Sequence, residues 1–159
     1  MTREQNGSVL AIYICGYKGE DMSSVRDSRV IAGRGLEGDR YALGRGAFSR
    51  SMPYMIRHLS LISRQAIIEA NANLETPYGE AETRRNIVTE GVELNDLVDR
   101  KFAVGNVTLR GVELCDPCRR PEKLTGKQGF EDAFKNLGGL RAEVLTDGLI
   151  AVGSDIRLV

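Results

Sequence analysis

The segment from Lys101 to Cys118, KFAVGNVTLRGVELCDPC, constrains this chain more than any other. Two apolar stretches, Lys101–Val104 and Val107–Leu114, flank the dipeptide Gly105-Asn106. A glycine-first two-residue turn has the twist that antiparallel strands require, so the segment reads as a β-hairpin. Its second arm runs straight into Cys115-Asp-Pro-Cys118, which places two thiols on the loop that ends a strand. A hairpin is not stable alone in water; it needs further strands or helices against its apolar face.

The rest of the chain supplies them. Ser8–Tyr17 is rich in β-branched and aromatic residues and reads as a first strand after an irregular start at residues 1–7. His58–Ile62 reads as a strand running into a short helix that Ser63 caps and whose apolar face is Ala66, Ile67 and Ala70. Arg84–Thr89 reads as a strand with a polar entrance, and Val92–Val98 as a short helix. Phe130, Ala133, Phe134 and Leu137 recur at helical spacing, and Gly138-Gly139 stops that helix. A second hairpin is expected between Arg141–Leu145 and Leu149–Ala151, then a last strand at Ile156–Val159. Residues 29–48, crowded with glycine and arginine, read as one long functional loop. Short strands in antiparallel pairs predict a mostly β fold: a closed or nearly closed antiparallel β-barrel with a few short helices. Regular βαβ alternation is missing, which argues against a doubly wound parallel sheet. No repeat, low-complexity run or linker divides residues 1–159, so a single domain is expected.

Composition narrows the partners. Lys plus Arg (22) equals Asp plus Glu (22), so no net field calls for nucleic acid or a membrane surface. The apolar stretch Val9–Cys15 is too short for a membrane span and lacks the marks of a signal peptide. The cytoplasm is the expected compartment, and the three cysteines are expected as thiols there.

Cys115-x-x-Cys118 is the strongest chemical signal. A thiolate is the most nucleophilic side chain at neutral pH, and Arg119, Arg120 and Lys123 follow at once. Half a zinc site, a thioredoxin-like redox pair and two buried structural cysteines all compete with a single working thiol. A zinc site lacks partners, since there is no second CxxC and one histidine, His58. A redox pair of the thioredoxin kind belongs at the start of a helix in a βαβ unit, not after a hairpin strand. The loop Arg34-Gly-Leu-Glu-Gly-Asp-Arg40 offers backbone amides and guanidinium donors to an anion, or else pairs its own charges at the surface. Strand alternation puts Arg84 and Asn86 on one face, suiting either a polar ligand or a solvated sheet edge. His58 has no acid or serine motif near it and reads as structural.

Taken in order, GLEGDRYA (35–42), HLSLIS (58–63), RRNIVTEGVEL (84–94), GVELCDPC (111–118) and GLRAEVLTDGLIAVGSDI (139–156) resemble the MOSC family, named for the C-terminal domain of molybdenum cofactor sulfurases. The resemblance is strongest over 34–159. It implies a barrel-like β fold with one working cysteine, Cys118 by position, which either carries sulfur as a persulfide or ligates molybdenum of a bound molybdopterin. Arg84 and Asn86 match the family's Arg-x-Asn pattern, which implies contact with the anionic part of the pterin. Arg34, Arg40 and Lys123 would join them or favour the thiolate. Cys115 is an addition to the single-cysteine pattern and could resolve a persulfide into a disulfide.

The resemblance implies a sulfur transferase or a molybdenum-dependent oxidoreductase component. No stretch reads as the separate N-terminal β domain of cofactor-binding members. None reads as the aminotransferase-like domain of the sulfurases, so pyridoxal phosphate chemistry would belong to a partner, a cysteine desulfurase or a molybdoenzyme. Two other functions fit the same residues. One is a component of a reductase for N-hydroxylated compounds fed by an external electron donor. The other is a non-catalytic module docking a desulfurase.

Overall fold

In the computed structural model, which describes residues 6–47, 49–52 and 54–159, the Gly105-Asn106 turn joins β7 (Lys101–Val104) to β8 (Val107–Leu114). Val104 faces Val107 and Lys101 faces Arg110, the register the turn requires. Gly105 adopts φ +58°, a conformation open to glycine at little cost.

Around this hairpin the strands form a ring. β8 pairs with β9 (Leu140–Val144), β9 with β5 (Leu59–Ser63), and β5 with β6 (Ile87–Glu90). β6 pairs with β1 (Gly7–Ile14), which pairs with β11 (Asp155–Leu158), and β11 returns to β7. Among the described residues these seven strands close a barrel, and β2 (Ser23–Val25) hangs on the free side of β1. A smaller sheet joins β10 (Gly148–Ala151), β3 (Asp27–Ile31) and β4 (Gly35–Leu36). The mostly β, barrel-like fold expected from the sequence is what the chain adopts. Among the described residues no helix is long and apolar enough to cross a membrane.

One pair in the ring is parallel: β5 and β6, with Leu61 opposite Ile87. Parallel neighbours need a crossover and are covered on both faces. The crossover contains α1 (Arg64–Asn71), capped as expected by Ser63, whose Oγ accepts the N–H of Ala66 at 3.0 Å. Leu59, Leu61 and Ile87 point into the barrel, while Ile62 and Val88 point outward into a second cluster with Ile67, Tyr78, Phe130 and Phe134. That outer layer holds α3 (Phe130–Ala133), whose Phe130 and Phe134 rings stack at 4.3 Å. Each buried phenylalanine contributes roughly 2–3 kcal/mol.

Several sequence expectations change. The anticipated second hairpin does not form: β10 pairs with β3, Gly148 opposite Val30, because its apolar residues complete the smaller sheet. The long loop at 29–48 begins with most of β3 and all of β4, so only its later part is irregular; Phe48 lies outside the described residues. Val92–Val98 forms a 3-10 turn at Leu94–Leu97. The strand expected from Arg84 begins only at Ile87, because Arg84 takes a left-handed conformation (φ 64°) at the end of a 3-10 turn, Ala81–Thr83. Of the irregular start, residues 1–5 lie outside the described residues and Gly7 already belongs to β1.

Candidate functional site

The loop after β8 carries Cys115, Asp116, Pro117 and Cys118 to the rim of a cavity of about 330 Å³. Two glycines fix that loop. The N–H of Cys115 donates to the carbonyl of Gly139 at 2.8 Å, and a Cβ on Gly138 would overlap the carbonyl oxygen of Cys115. Nε of Arg85 then donates to the carbonyl of Gly138 at 2.7 Å. Cys115 is buried at 3% exposure, whereas Cys118 is exposed. α2 (Arg120–Thr125) follows and sets Arg120 on the cavity wall.

The other walls come from segments far apart in sequence. Lys18, Arg40, Arg57, Arg84, Arg85, Arg120 and Arg141 line the cavity, against Glu113 and Asp116. Arg40 and Arg84 are almost fully buried. Arg40 pairs with buried Asp39 at 3.2 Å and donates through Nη2 to the carbonyl of Arg84 at 3.2 Å. Arg84 donates through Nη1 to the carbonyl of Glu20 at 2.8 Å, and its Nη2 lies 3.5 Å from Sγ of Cys15. Burial pushes the Arg84 guanidinium below its ordinary pKa, and the charge of Arg40 pushes it the same way, against a smaller pull from Cys15. Arg57 is lowered likewise, first by burial and then by Arg141. Burial and a neighbouring arginine thus both disfavour the charge on Arg84 and on Arg57, and an anion entering the cavity would favour it.

The cavity thus brings together Cys115, Cys118, Arg40 and Arg84 from the residues singled out in the sequence. Asn86, Arg34 and Lys123 do not line it. Asn86 is fully buried: Oδ1 accepts the N–H of Ser60 at 3.0 Å and Nδ2 donates to the carbonyl of Tyr13 at 3.1 Å. Its amide ties β1 to β5 and fixes Ser60, which does line the cavity. The left-handed turn at Arg84 breaks the alternation that would have put Arg84 and Asn86 on one face. Arg34 and Lys123 are exposed elsewhere. Nδ1 of His58 accepts the N–H of Val144 at 2.9 Å, a structural contact of the kind expected from the sequence.

Sequence reasoning missed Arg57, Arg85 and Arg141, each contributed by a different segment, and named Arg120 only as one of the cations following the thiols. Arg120 carried one signal, its place two residues past Cys118. Among the described residues no group of three or more His, Cys, Asp or Glu side chains is placed to hold a bare metal ion. One exposed thiol, Cys118, and one buried thiol, Cys115, thus border the cationic cavity.

Comparisons with known proteins agree with this architecture. The YUAD protein from Bacillus subtilis is similar in structure, with a TM-score of 0.81 and 16% identity over 99% of this chain and 97% of that one. YiiM from Geobacillus stearothermophilus is similar with a TM-score of 0.72 and 14% identity, over 96% of this chain and 75% of its own. YiiM from Escherichia coli gives 0.65 and 17%, over 100% and 70%. At such identities the likeness speaks of the fold alone. No curated protein matches the sequence significantly. The family model described as MOSC domain matches residues 35–157, most of the chain. This chain belongs to the MOSC domain family.

Proposed function

We propose that this MOSC protein holds an anionic pterin cofactor of molybdenum in the cationic cavity and presents the Cys118 thiolate to its metal. The observation that carries the reading is the company of that thiol: an exposed cysteine on the rim of a cavity lined by seven cationic side chains against two carboxylates. Arg40, Arg84, Arg85 and Arg120 would hold the anionic part, and Cys118 would be the protein's ligand. The metal, when bound, supplies the redox chemistry. Asn86 acts one step back by positioning Ser60. A reducing compartment such as the cytoplasm suits thiols that are all unpaired.

A second reading has its own support: Cys115 lines the same cavity three residues away. As a sulfur carrier, Cys118 thiolate would attack the outer sulfur of a desulfurase persulfide. A new S–S bond forms on Cys118, the donor's S–S bond breaks, and the donor leaves as a thiolate. Cys115 could then attack the inner sulfur, closing a disulfide and expelling hydrosulfide. Pyridoxal phosphate would stay with the desulfurase. Service as a component of a reductase for N-hydroxylated compounds extends the first reading by an external electron donor.

Metal analysis, pterin fluorescence and intact mass of the protein purified from a host that makes the cofactor separate these readings. Molybdenum and pterin present in the wild type, and molybdenum absent from Cys118→Ser but kept in Cys115→Ser, support the ligand role. A mass gain of one sulfur on Cys118 without molybdenum supports the carrier. Neither, with Cys118 no more reactive than a free thiol, leaves a docking module and overturns both.

A further inference from the structure

A second cavity, of about 400 Å³, adjoins the first, and the two share Tyr41, Met55 and Arg57 as a common wall. Its own lining includes Arg34 and His58, neither of which the proposed chemistry uses. Arg34 is exposed, and its guanidinium makes no hydrogen bond or ion pair among the described residues. His58 accepts the N–H of Val144 on Nδ1, so the neutral ring carries its proton on Nε2. Burial holds the imidazole below its ordinary pKa, which keeps that neutral donor form at neutral pH. The second cavity therefore offers a guanidinium and a ring N–H, both donors. Tyr41 stands on the divide with the Arg40 guanidinium 4.5 Å from its ring centroid, and Arg57 borders both cavities.

We infer that the second cavity is a subsite for a second phosphate-class group on an elongated ligand whose first anionic group occupies the cationic cavity. Arg34 and His58 bind the distal group, and Arg57 lies between the two charges. The two-cavity ligand rests on the reading of the first cavity as an anion site; anion binding at Arg34 and His58 does not. A free phosphate needs one cavity only. Two adjoining donor-lined cavities favour a molecule with charge at two separated points, since joining two weak contacts in one ligand multiplies their affinities.

The chain has one histidine, so the imidazole NMR signals report on the second cavity without ambiguity. Alkylation of Cys118 reports on the first. Methylphosphonate and a series of straight-chain alkane bisphosphonates of increasing length are the probes. At one chain length the bisphosphonate should shift the His58 signals, slow Cys118 alkylation, and bind about a hundredfold more tightly than methylphosphonate. Arg34→Gln, at an exposed position, should return its affinity to the methylphosphonate value while methylphosphonate still protects Cys118. If no bisphosphonate outbinds methylphosphonate, or Arg34→Gln keeps the gain, the inference is overturned. Protection of Cys118 with His58 unmoved overturns the inference and leaves the first cavity's reading standing. Movement of His58 with Cys118 unprotected overturns the two-cavity ligand through failure of the first cavity instead.

Discussion

The carbonyl of Cys115 rests against the bare Cα of Gly138, while the N–H of Cys115 donates to the carbonyl of Gly139 at 2.8 Å. The loop bearing both thiols is thus clamped to the strand beside it by two residues without side chains. Gly138→Ala forces a methyl group into backbone, which has no rotamer to yield. It should destabilise the fold by about 1–3 kcal/mol. The same shift should change the alkylation rate of Cys118 severalfold. A urea titration beside timed alkylation checks both; an unchanged midpoint would show the loop to be adaptable.

Thiol accessibility divides the three cysteines cleanly. Cys118 is exposed, while Cys15 and Cys115 are buried at 5% and 3%. Iodoacetamide under native conditions should modify Cys118 alone, with the others slower by at least about a hundredfold because they react through opened states. Peptide mass mapping reads the result. Equal labelling of Cys115 would mean the loop opens readily.

Arg84 and Arg120 line one cavity but are held differently. Arg84 is buried with its donors on Glu20 and Cys15, whereas the guanidinium of Arg120 makes no hydrogen bond or ion pair among the described residues. Arg84→Gln should cost about 1–3 kcal/mol of stability by removing the donors to the Glu20 carbonyl and the buried Cys15 sulfur. Arg120→Gln should leave stability within about 0.5 kcal/mol yet weaken binding of inorganic phosphate about tenfold. Calorimetry of each variant, with and without phosphate, separates the structural from the binding contribution.

His58 makes stability depend on pH in a stated direction. Burial lowers its pKa below the ordinary 6.5, partly opposed by Glu143. The unfolded chain therefore takes up a proton on this ring before the folded one does. Stability from the neutral imidazole is present above the unfolded value and declines as pH falls through about 6.5 toward the folded pKa. Protonation of Nδ1 also breaks its bond from Val144. The drop in urea midpoint between neutral pH and about pH 5 should be smaller in His58→Gln than in the wild type. An identical drop in both would assign the acid sensitivity to carboxylates.

Local chemistry was legible in the sequence, and distant pairing was not. The Gly105-Asn106 hairpin and the Ser63 cap depend on residues within a few positions of one another, and both form as read. The partner of β10 is more than a hundred residues away in β3, and nothing in its own alternation distinguishes that pairing from a hairpin with β9. Within the candidate site, the CxxC motif marked the thiol loop. The cationic wall was invisible because Arg57, Arg85 and Arg141 converge from separate strands and turns. The left-handed backbone at Arg84, a state costing a non-glycine residue about 1–2 kcal/mol, cannot be read from RRN alone.

The contact of β1 with β11, Gly7 opposite Ile156, has a temporal consequence. A ribosome delivers the first of these strands long before the second, so the nascent chain must wait with an unzipped seam. Loop-closure entropy between such distant partners slows the last step, and the waiting seam is a template for another chain's strand. Faster synthesis and lower nascent-chain crowding should therefore raise the share of chains that close this seam on themselves.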